Sequence, residues 1–210
     1  MKTKAIRIMF ILTPALAISC VKANPSSPAK VNPGLDINAN SQAGELTANR
    51  LPLDSPLVQP KIVVTKSKRR LMLYSGNKLV RQYRVGLGLS PIEDKTKEGD
   101  RRTPEGEFYI FTKNDKSAFY LSLGLSYPNS EDAERGLRDG LINREQYNQI
   151  LNAIRKKTAP PQNTALGGEI YIHGNGSQSD WTWGCVALDD KDIRELFDAV
   201  PLGTKVIIEH

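Results

Sequence analysis

Short β-rich runs separated by turn signals restrict most strongly how this chain can fold. Apolar and β-branched residues recur in brief runs, and Gly, Asn, Ser or Pro stands between neighbouring runs. The runs cover residues 61–65, 70–74, 79–85, 107–112, 122–127, 169–173, 184–188 and 204–209. No strand–helix–strand alternation connects them. We therefore predict a mainly β domain, of sandwich or barrel-like form, rather than a parallel α/β fold.

Two predicted helices interrupt this pattern between the fifth and sixth runs. Ser130 predicts a helix start, because a hydroxyl can cap free N–H groups and two acidic residues follow it. Asn143, with Gln146 three residues later, predicts a second start, and apolar residues follow at helical spacing. We expect a helical hairpin insert here, and one short C-terminal helix that begins at Asp189 or Asp190.

The first 23 residues have the pattern of an export signal, in which basic residues precede an apolar run over 8–18. That run is too short for the ~20 residues that span a bilayer. Two processing outcomes are open. Cleavage after Ala23 is favoured, whereas residues 17–20 resemble a lipobox in which Cys20 would carry a membrane tether. Residues 24–60 are rich in Pro, Ser and Asn and predict a flexible linker before a domain over 61–210.

The net charge of +6 does not indicate a nucleic-acid partner. Without the first 23 residues, 25 basic and 23 acidic residues remain, and no basic repeat with interleaved aromatic residues is present. The basic cluster at 66–70 is interpreted as a solvated strand or turn. One strand-borne His and one Cys, without HxH or CxxC spacing, predict no metal site, and no cofactor is expected.

His173 and Cys185 stand at the two ends of a loop rich in Gly, Ser and Asp, and together they are the minimum set for covalent acyl transfer. A free thiol has a pKa near ~8.5, so a base must take its proton or stabilise the thiolate as an ion pair. His210 lies beyond the final run, which leaves His173 as the base. The alternative for Cys185 is a small buried core residue.

Neighbouring residues fit the same chemistry. The Gly174 carbonyl, or another nearby, would hold the second imidazole nitrogen, and the amides of Gly184 and Cys185 would converge on an oxyanion. Of the two tryptophans that flank Thr182, we expect one to pack in the core and the other to line a substrate groove.

The sequence IHG at 172–174, followed by TWGCV at 182–186, resembles the signature of the L,D-transpeptidase catalytic domain (YkuD type). The turn TPEGEF at 103–108 resembles that family's TPxGxF segment, and PLGTKV at 201–206 resembles its C-terminal end. The resemblance covers residues 60–209. It implies a β-sandwich-like fold and a cell-envelope enzyme of the periplasm that acts on peptidoglycan stem peptides, in cell-wall organisation and cell shape.

The resemblance also implies roles for individual residues. Cys185 would be the nucleophile, His173 the general base, and the Gly174 carbonyl the group that orients it. Cys185 would attack the third residue of a stem tetrapeptide, expel D-Ala and form a thioester, which an amine from a second stem peptide would resolve as a 3→3 cross-link. Water as acceptor would give an L,D-carboxypeptidase instead. A non-catalytic envelope-binding module is the further alternative.

Four more residues are assigned to oxyanion or substrate contacts: Gly184, Trp183, Thr182 and Asp180. Trp183 departs from the resembling family, which usually has a second His in this position. A role of that His therefore does not transfer to this chain. The spacing between His173 and the cysteine motif is also shorter than usual, and both features indicate a divergent branch.

Overall fold

A computed structural model describes residues 52–53 and 56–210. The expected signal over 1–23 and nearly all of the expected linker over 24–60 lie outside the described residues. The strands are β1 (Pro60–Thr65), β2 (Arg70–Ser75), β3 (Lys78–Arg84), β4 (Gly106–Ser117), β5 (Tyr120–Leu125), β6 (Tyr171–His173), β7 (Val186–Ala187) and β8 (Lys205–Glu209). The helices are α1 (Ser130–Arg138), α2 (Arg144–Lys156) and α3 (Asp190–Ala199).

All of these strands belong to one eight-stranded sheet in the order β3-β2-β1-β8-β4-β5-β6-β7, which curls as a half-barrel. The pairs β1–β8 and β6–β7 are parallel, and the other neighbours are antiparallel. The prediction of a mainly β, barrel-like fold with a helical hairpin insert and one short C-terminal helix is therefore confirmed.

Alternation of buried and less buried side chains explains why the first runs form strands. Ile62 pairs with Leu73 and Val64 with Leu71 across β1 and β2, and all four side chains are fully buried. Each such side chain stabilises the fold by ~1.5–3 kcal/mol when it leaves water. The core therefore forms along the face of the sheet that these residues share.

The helical insert has its own small core of Ala133, Ile142, Ile150 and Leu166. Its second helix begins as predicted, because Asn143 and Gln146 form a capping box. The first start is corrected by one residue. Asn129, not Ser130, is the N-cap, since its side chain accepts from the Asp132 N–H while the Asp132 carboxylate accepts from the Asn129 N–H.

The two ends of the sheet approach each other at one point. Beyond β3, Gly86 bridges Ala187 of β7, and Gly88 bridges Thr182. A side chain at either glycine is excluded, because a Cβ on Gly86 would lie 2.2 Å from the Ser179 carbonyl oxygen and one on Gly88 2.2 Å from that of Arg101. This close backbone contact fixes the segment that carries Cys185.

Within the described part of the chain, no helix has the length and apolar character to cross a membrane. The strands around the cysteine are shorter than the runs at 169–173 and 184–188 predicted, with three residues in β6 and two in β7. Loop contacts therefore hold this region more than strand pairing does.

Candidate active site

The pairing of β6 with β7 brings the backbone segments of His173 and Cys185 side by side. These strands are parallel, with Ile172 opposite Val186 and His173 opposite Ala187. Cys185 immediately precedes β7 and lies two residues before Ala187, the partner of His173.

The thiol contacts backbone groups at the start of β6. The Cys185 Sγ accepts from the Tyr171 N–H at 3.4 Å and donates to the Glu169 carbonyl at 3.5 Å. Within residues 52–53 and 56–210, no hydrogen bond joins the thiol to the imidazole of His173. Direct proton transfer between them therefore needs a side-chain rotation or a bound substrate that brings the two groups together.

The imidazole of His173 is buried and held from three sides. Its Nδ1 lies 2.7 Å from the Gly174 carbonyl oxygen. Since a carbonyl only accepts, Nδ1 carries the proton and the lone pair lies on Nε2. The Phe119 ring stacks on the imidazole at 4.7 Å between centroids, and the Trp181 ring meets it edge-on at 5.5 Å. These contacts fix both the tautomer and the plane of the ring.

Burial keeps both groups neutral in this state. It lowers the pKa of His173, against the opposing effect of the Gly174 hydrogen bond. It raises the pKa of Cys185 to about 11, with a further increase from the charge of Glu169 and opposing effects of the Tyr171 N–H and Lys95. Of the two states left open by the sequence, the structure therefore favours a neutral thiol and imidazole over a thiolate–imidazolium pair.

Thr182 closes the turn before Cys185. This buried hydroxyl donates to the Cys185 carbonyl at 2.8 Å and accepts from the Gly184 N–H at 3.2 Å. The expectation that the Gly184 amide faces an oxyanion is corrected, since that N–H already has a partner. Gly184 is needed for its shape: its φ is +129°, and a Cβ would lie 2.7 Å from the Arg102 carbonyl oxygen. The Cys185 N–H remains the candidate oxyanion donor.

Asp180 anchors the loop. Its Oδ2 lies 2.7 Å from Nη2 of Arg69, and its Oδ1 accepts from Nε of Arg69 at 3.0 Å and from the Leu87 N–H at 2.9 Å. Both carboxylate oxygens are thus occupied, and the assignment of Asp180 to a substrate contact is corrected to a positioning role. The sequence reasoning missed Arg69, whose only signal was the basic cluster at 66–70.

The same basic cluster also contains a buried lysine. Lys66 is 1% exposed, and its Nζ donates to the carbonyls of Glu93 and Thr103 and to Glu105. The interpretation of a solvated cluster is therefore wrong for Lys66. Three oxygen acceptors around a buried ammonium replace its lost hydration and fix the turn over 103–106.

The two tryptophans differ in exposure. Trp181 is half-buried, and its Nε1 donates to the Gly176 carbonyl at 3.0 Å. Trp183 is 68% exposed, and the Arg101 guanidinium lies 4.8 Å from its ring centroid. An exposed indole two residues before Cys185 offers a flat apolar surface to a bound molecule. Among the described residues, no group of three or more His, Cys, Asp or Glu could hold a metal ion.

Comparison with known proteins gives a consistent family. The family model for the L,D-transpeptidase catalytic domain (YkuD) matches residues 59–208. A search of curated proteins finds no match. Among solved structures, 47 chains match.

Three of these structures illustrate how similar the chain is to solved proteins in sequence and in structure. An L,D-transpeptidase from Xylanimonas cellulosilytica is 16% identical, with 80% of this chain and 69% of that chain covered and a TM-score of 0.44. The helical cell shape determining protein Pgp2 from Campylobacter jejuni is 22% identical, with 72% and 47% covered and a TM-score of 0.47. Bd1075 from Bdellovibrio bacteriovorus is 21% identical, with 72% and 48% covered and a TM-score of 0.46. The chain thus spans about half the length of the last two.

Proposed function

The chain belongs to the L,D-transpeptidase (YkuD) catalytic-domain family, and from that membership we propose that it is a cysteine acyltransferase acting on peptidoglycan stem peptides. The donor is a stem tetrapeptide, and the acceptor is an amine of a second stem peptide, which gives a 3→3 cross-link. The observation that supports this proposal is the pairing of β6 with β7, which brings the backbone segments of His173 and Cys185 side by side.

The hydrogen bond at Nδ1 supports His173 as the general base. The imidazole donates its Nδ1–H to the Gly174 carbonyl, which leaves the lone pair on Nε2. Nε2 takes the thiol proton of Cys185 as the sulfur attacks the carbonyl of the third stem-peptide residue. A carbon–sulfur bond forms, the bond to D-Ala breaks, and the proton passes to the leaving amine. The acceptor amine then attacks the thioester, His173 takes its proton, and that proton returns to sulfur as the thiol leaves.

The Cys185 N–H is proposed to stabilise the oxyanion of each tetrahedral intermediate, a contribution of ~3 kcal/mol for one such donor. The exposed ring of Trp183, with Arg101 beside it, is proposed to contact the donor peptide. Thr182 and Asp180 hold the loop and thereby position the nucleophile.

The proposed setting is the cell envelope, to which peptidoglycan is confined. The export signal over 1–23 and the linker over 24–60 would deliver the domain there, released or tethered through a lipid on Cys20. These segments remain proposals from the sequence alone.

Product analysis tests the proposal. The purified protein and its Cys185→Ala variant are incubated with disaccharide-tetrapeptides, and the products are identified by mass spectrometry. We expect a Cys185-dependent 3→3 dimer. A tripeptide with free D-Ala and no dimer would replace the proposal with the carboxypeptidase reaction, and the absence of any Cys185-dependent product would favour a binding module.

Substitution of His173 tests its role as the base, and substitution of His210 is the matched control. His173→Gln should abolish the product, because it removes the imidazole that is proposed to take the thiol proton. His210→Gln should leave the rate unchanged, since His210 is exposed at the end of the domain. Equal losses in both variants would contradict the assignment of His173.

A further inference from the structure

Two backbone groups hold the thiol of Cys185, and one of them has no support from strand pairing. The Sγ donates to the Glu169 carbonyl and accepts from the Tyr171 N–H, on either side of Ile170. Tyr171 is fixed in β6, and the Ile170 carbonyl accepts from the Leu125 N–H of β5 at 2.9 Å. Glu169 lies before the start of β6, so a contact outside the sheet must fix the direction of its carbonyl.

Gln162, in the segment between α2 and β6, provides that contact. Its Oε1 accepts from the Glu169 N–H at 2.7 Å, and its Nε2 donates to the carbonyls of Tyr127 at 3.0 Å and Pro160 at 2.7 Å. Because a carbonyl only accepts and an N–H only donates, one orientation of the amide satisfies all three contacts. Tyr127 is fully buried, and its hydroxyl donates to the Leu166 carbonyl at 2.9 Å. The amide is therefore anchored to the core of the domain.

The backbone between Gln162 and the sulfur has a constrained form. Glu169 has a φ of +54°, in the left-handed region that residues with a side chain rarely adopt. Gly168, immediately before it, lets the chain pass close to Gln162, since a Cβ there would lie 2.4 Å from the Gln162 carbonyl oxygen. Such conformations persist where the surrounding structure holds them. The hydrogen bond at the Glu169 N–H thus keeps the Glu169 carbonyl directed at the sulfur.

The two backbone contacts of the thiol act differently on its proton. A carbonyl can accept from S–H but not from a thiolate, so the Glu169 carbonyl stabilises the protonated form. The Tyr171 N–H can donate to sulfur in both forms and favours the anion. We propose that Gln162 is a positioning residue that acts on Cys185 through the Glu169 carbonyl and holds the thiol protonated and directed away from His173.

A step before the chemistry follows from this arrangement. With Cys185 as the nucleophile of the proposed function, the S–H must leave the Glu169 carbonyl and turn to Nε2 of His173 before its proton is transferred. A thiol held in the neutral form also reacts slowly with electrophiles and oxidants, because the thiolate is the reactive species. Acylation therefore starts with a movement of the thiol, and the resting protein keeps Cys185 unreactive.

The charged groups near the thiol can be separated from this effect. Burial is the largest cause of the raised pKa of Cys185, the charge of Glu169 adds to it, and Lys95 opposes it. Burial also raises the pKa of the Tyr171 phenol and lowers the pKa of His173, so both are neutral. Glu169 is exposed, and salt screens the charge of an exposed carboxylate far more than it weakens a hydrogen bond. High salt therefore distinguishes the Glu169 charge from the Glu169 carbonyl.

The pH profile of thiol alkylation tests the role of Gln162 without any substrate. Wild type and Gln162→Met, which fills a similar space without these hydrogen bonds, are treated with iodoacetamide over a range of pH. In Gln162→Met we expect ~5-fold faster alkylation at neutral pH, as for the loss of one hydrogen bond, and a plateau that begins at lower pH. A thiol that is only more accessible would react faster by one factor at every pH, and that result, or an unchanged profile, would overturn the inference.

Two further variants complete the comparison. Gln149→Met is the matched control, because the Gln149 amide is exposed on α2 and donates to Glu145 at 3.3 Å, and its profile should equal that of wild type. Glu169→Gln keeps the carbonyl and removes the charge, so it should shift the profile at low salt only. The shift in Gln162→Met should persist at high salt. Its disappearance there would assign the effect to charge and contradict the role of the hydrogen bonds.

These measurements also separate the role of Gln162 from the proposed reaction. A shifted profile in Gln162→Met, with no product from wild type and stem peptides, would reject the transferase and retain the restraint on the thiol. An unshifted profile, in a protein that does form the product, would reject the restraint alone.

Discussion

The two ends of the sheet are built differently. At the β1–β2–β3 end, strands of six or seven residues pair over their whole length and bury apolar side chains on one face. At the β6–β7 end, strands of three and two residues remain, and glycines, buried hydroxyls and one arginine–carboxylate pair hold the chain. The difference teaches that regular pairing provides the stability of the domain, whereas Cys185 is positioned by close contacts between loops.

Gly86→Ala should have the largest effect on this comparison. A Cβ here would lie 2.2 Å from the Ser179 carbonyl oxygen, so the loop that carries Cys185 must move. We expect a loss of ~100-fold in acylation rate, since a shift of about 1 Å costs that much in a positioned active site. Overpacking should also lower the free energy of unfolding by ~1–3 kcal/mol. Acylation kinetics and denaturant unfolding measure the two effects.

Two variants at the other end of the sheet are the controls. Gly76→Ala, in the β2–β3 turn with nothing within 4 Å of its Cβ, should cost ~1 kcal/mol and leave the rate unchanged. Leu71→Ala should cost ~2–5 kcal/mol, because a fully buried side chain is lost, and should also spare the rate of the folded protein. A loss of rate in either folded variant would contradict the conclusion that the two ends of the sheet have separate roles.

The pH dependence of thiol alkylation tests the electrostatics of the β6–β7 end. Because burial raises the pKa of Cys185 to about 11, alkylation by iodoacetamide should increase ~10-fold per pH unit from neutral pH up to that value. An exposed cysteine would level off near pH ~8.5. A plateau already at neutral pH would indicate a thiolate–imidazolium pair. Cys185→Ala supplies the background from other groups.

The same shifts have consequences for turnover and stability. The lowered pKa of His173 keeps the base neutral, so turnover should persist below pH ~6.5 before it falls. The folded protein holds the Cys185 proton more tightly than the unfolded chain does. The stability that this proton confers is therefore present below the ordinary thiol pKa and is lost as pH rises through about 11.

Asp180→Asn should have the smallest effect. The pair of Asp180 with Arg69 is partly exposed, so solvent screening limits the expected loss of unfolding free energy to ~1 kcal/mol. The rate should fall only a few-fold with KM unchanged. Asp139→Asn, which removes the exposed partner of Arg138, should stay within ~0.5 kcal/mol. A large rise in KM for Asp180→Asn alone would return Asp180 to the substrate contacts.

Local patterns made the β1–β2–β3 end predictable from the sequence. Strand alternation, the turn signals and the capping box of Asn143 with Gln146 each depend on residues a few positions apart. The predicted start of the first helix was wrong by one residue. Asn129 and Ser130 are both good N-cap residues, and only the reciprocal hydrogen bonds between Asn129 and Asp132 decide between them.

The details of the β6–β7 end depend on partners far apart in the chain. Arg69 and Asp180 are separated by 111 positions in the sequence, and Lys66 and Glu105 by 39 positions. No local sequence pattern therefore predicts either pair. His173 and Cys185 stay predictions as base and nucleophile, and the sequence points to them because it offers few alternatives for either role. The hydrogen bond of the Gly184 N–H could not be predicted from the sequence, since it depends on the rotamer of Thr182.

The most direct test of the proposed mechanism is to trap the acyl-enzyme. The protein is mixed with a tetrapeptide donor, quenched in acid within one turnover, and analysed by intact mass and peptide mapping. We expect an added mass equal to the donor without its D-Ala, located on Cys185, absent in Cys185→Ala and strongly reduced in His173→Gln. An adduct on another residue, or turnover without any thioester on Cys185, would contradict the mechanism.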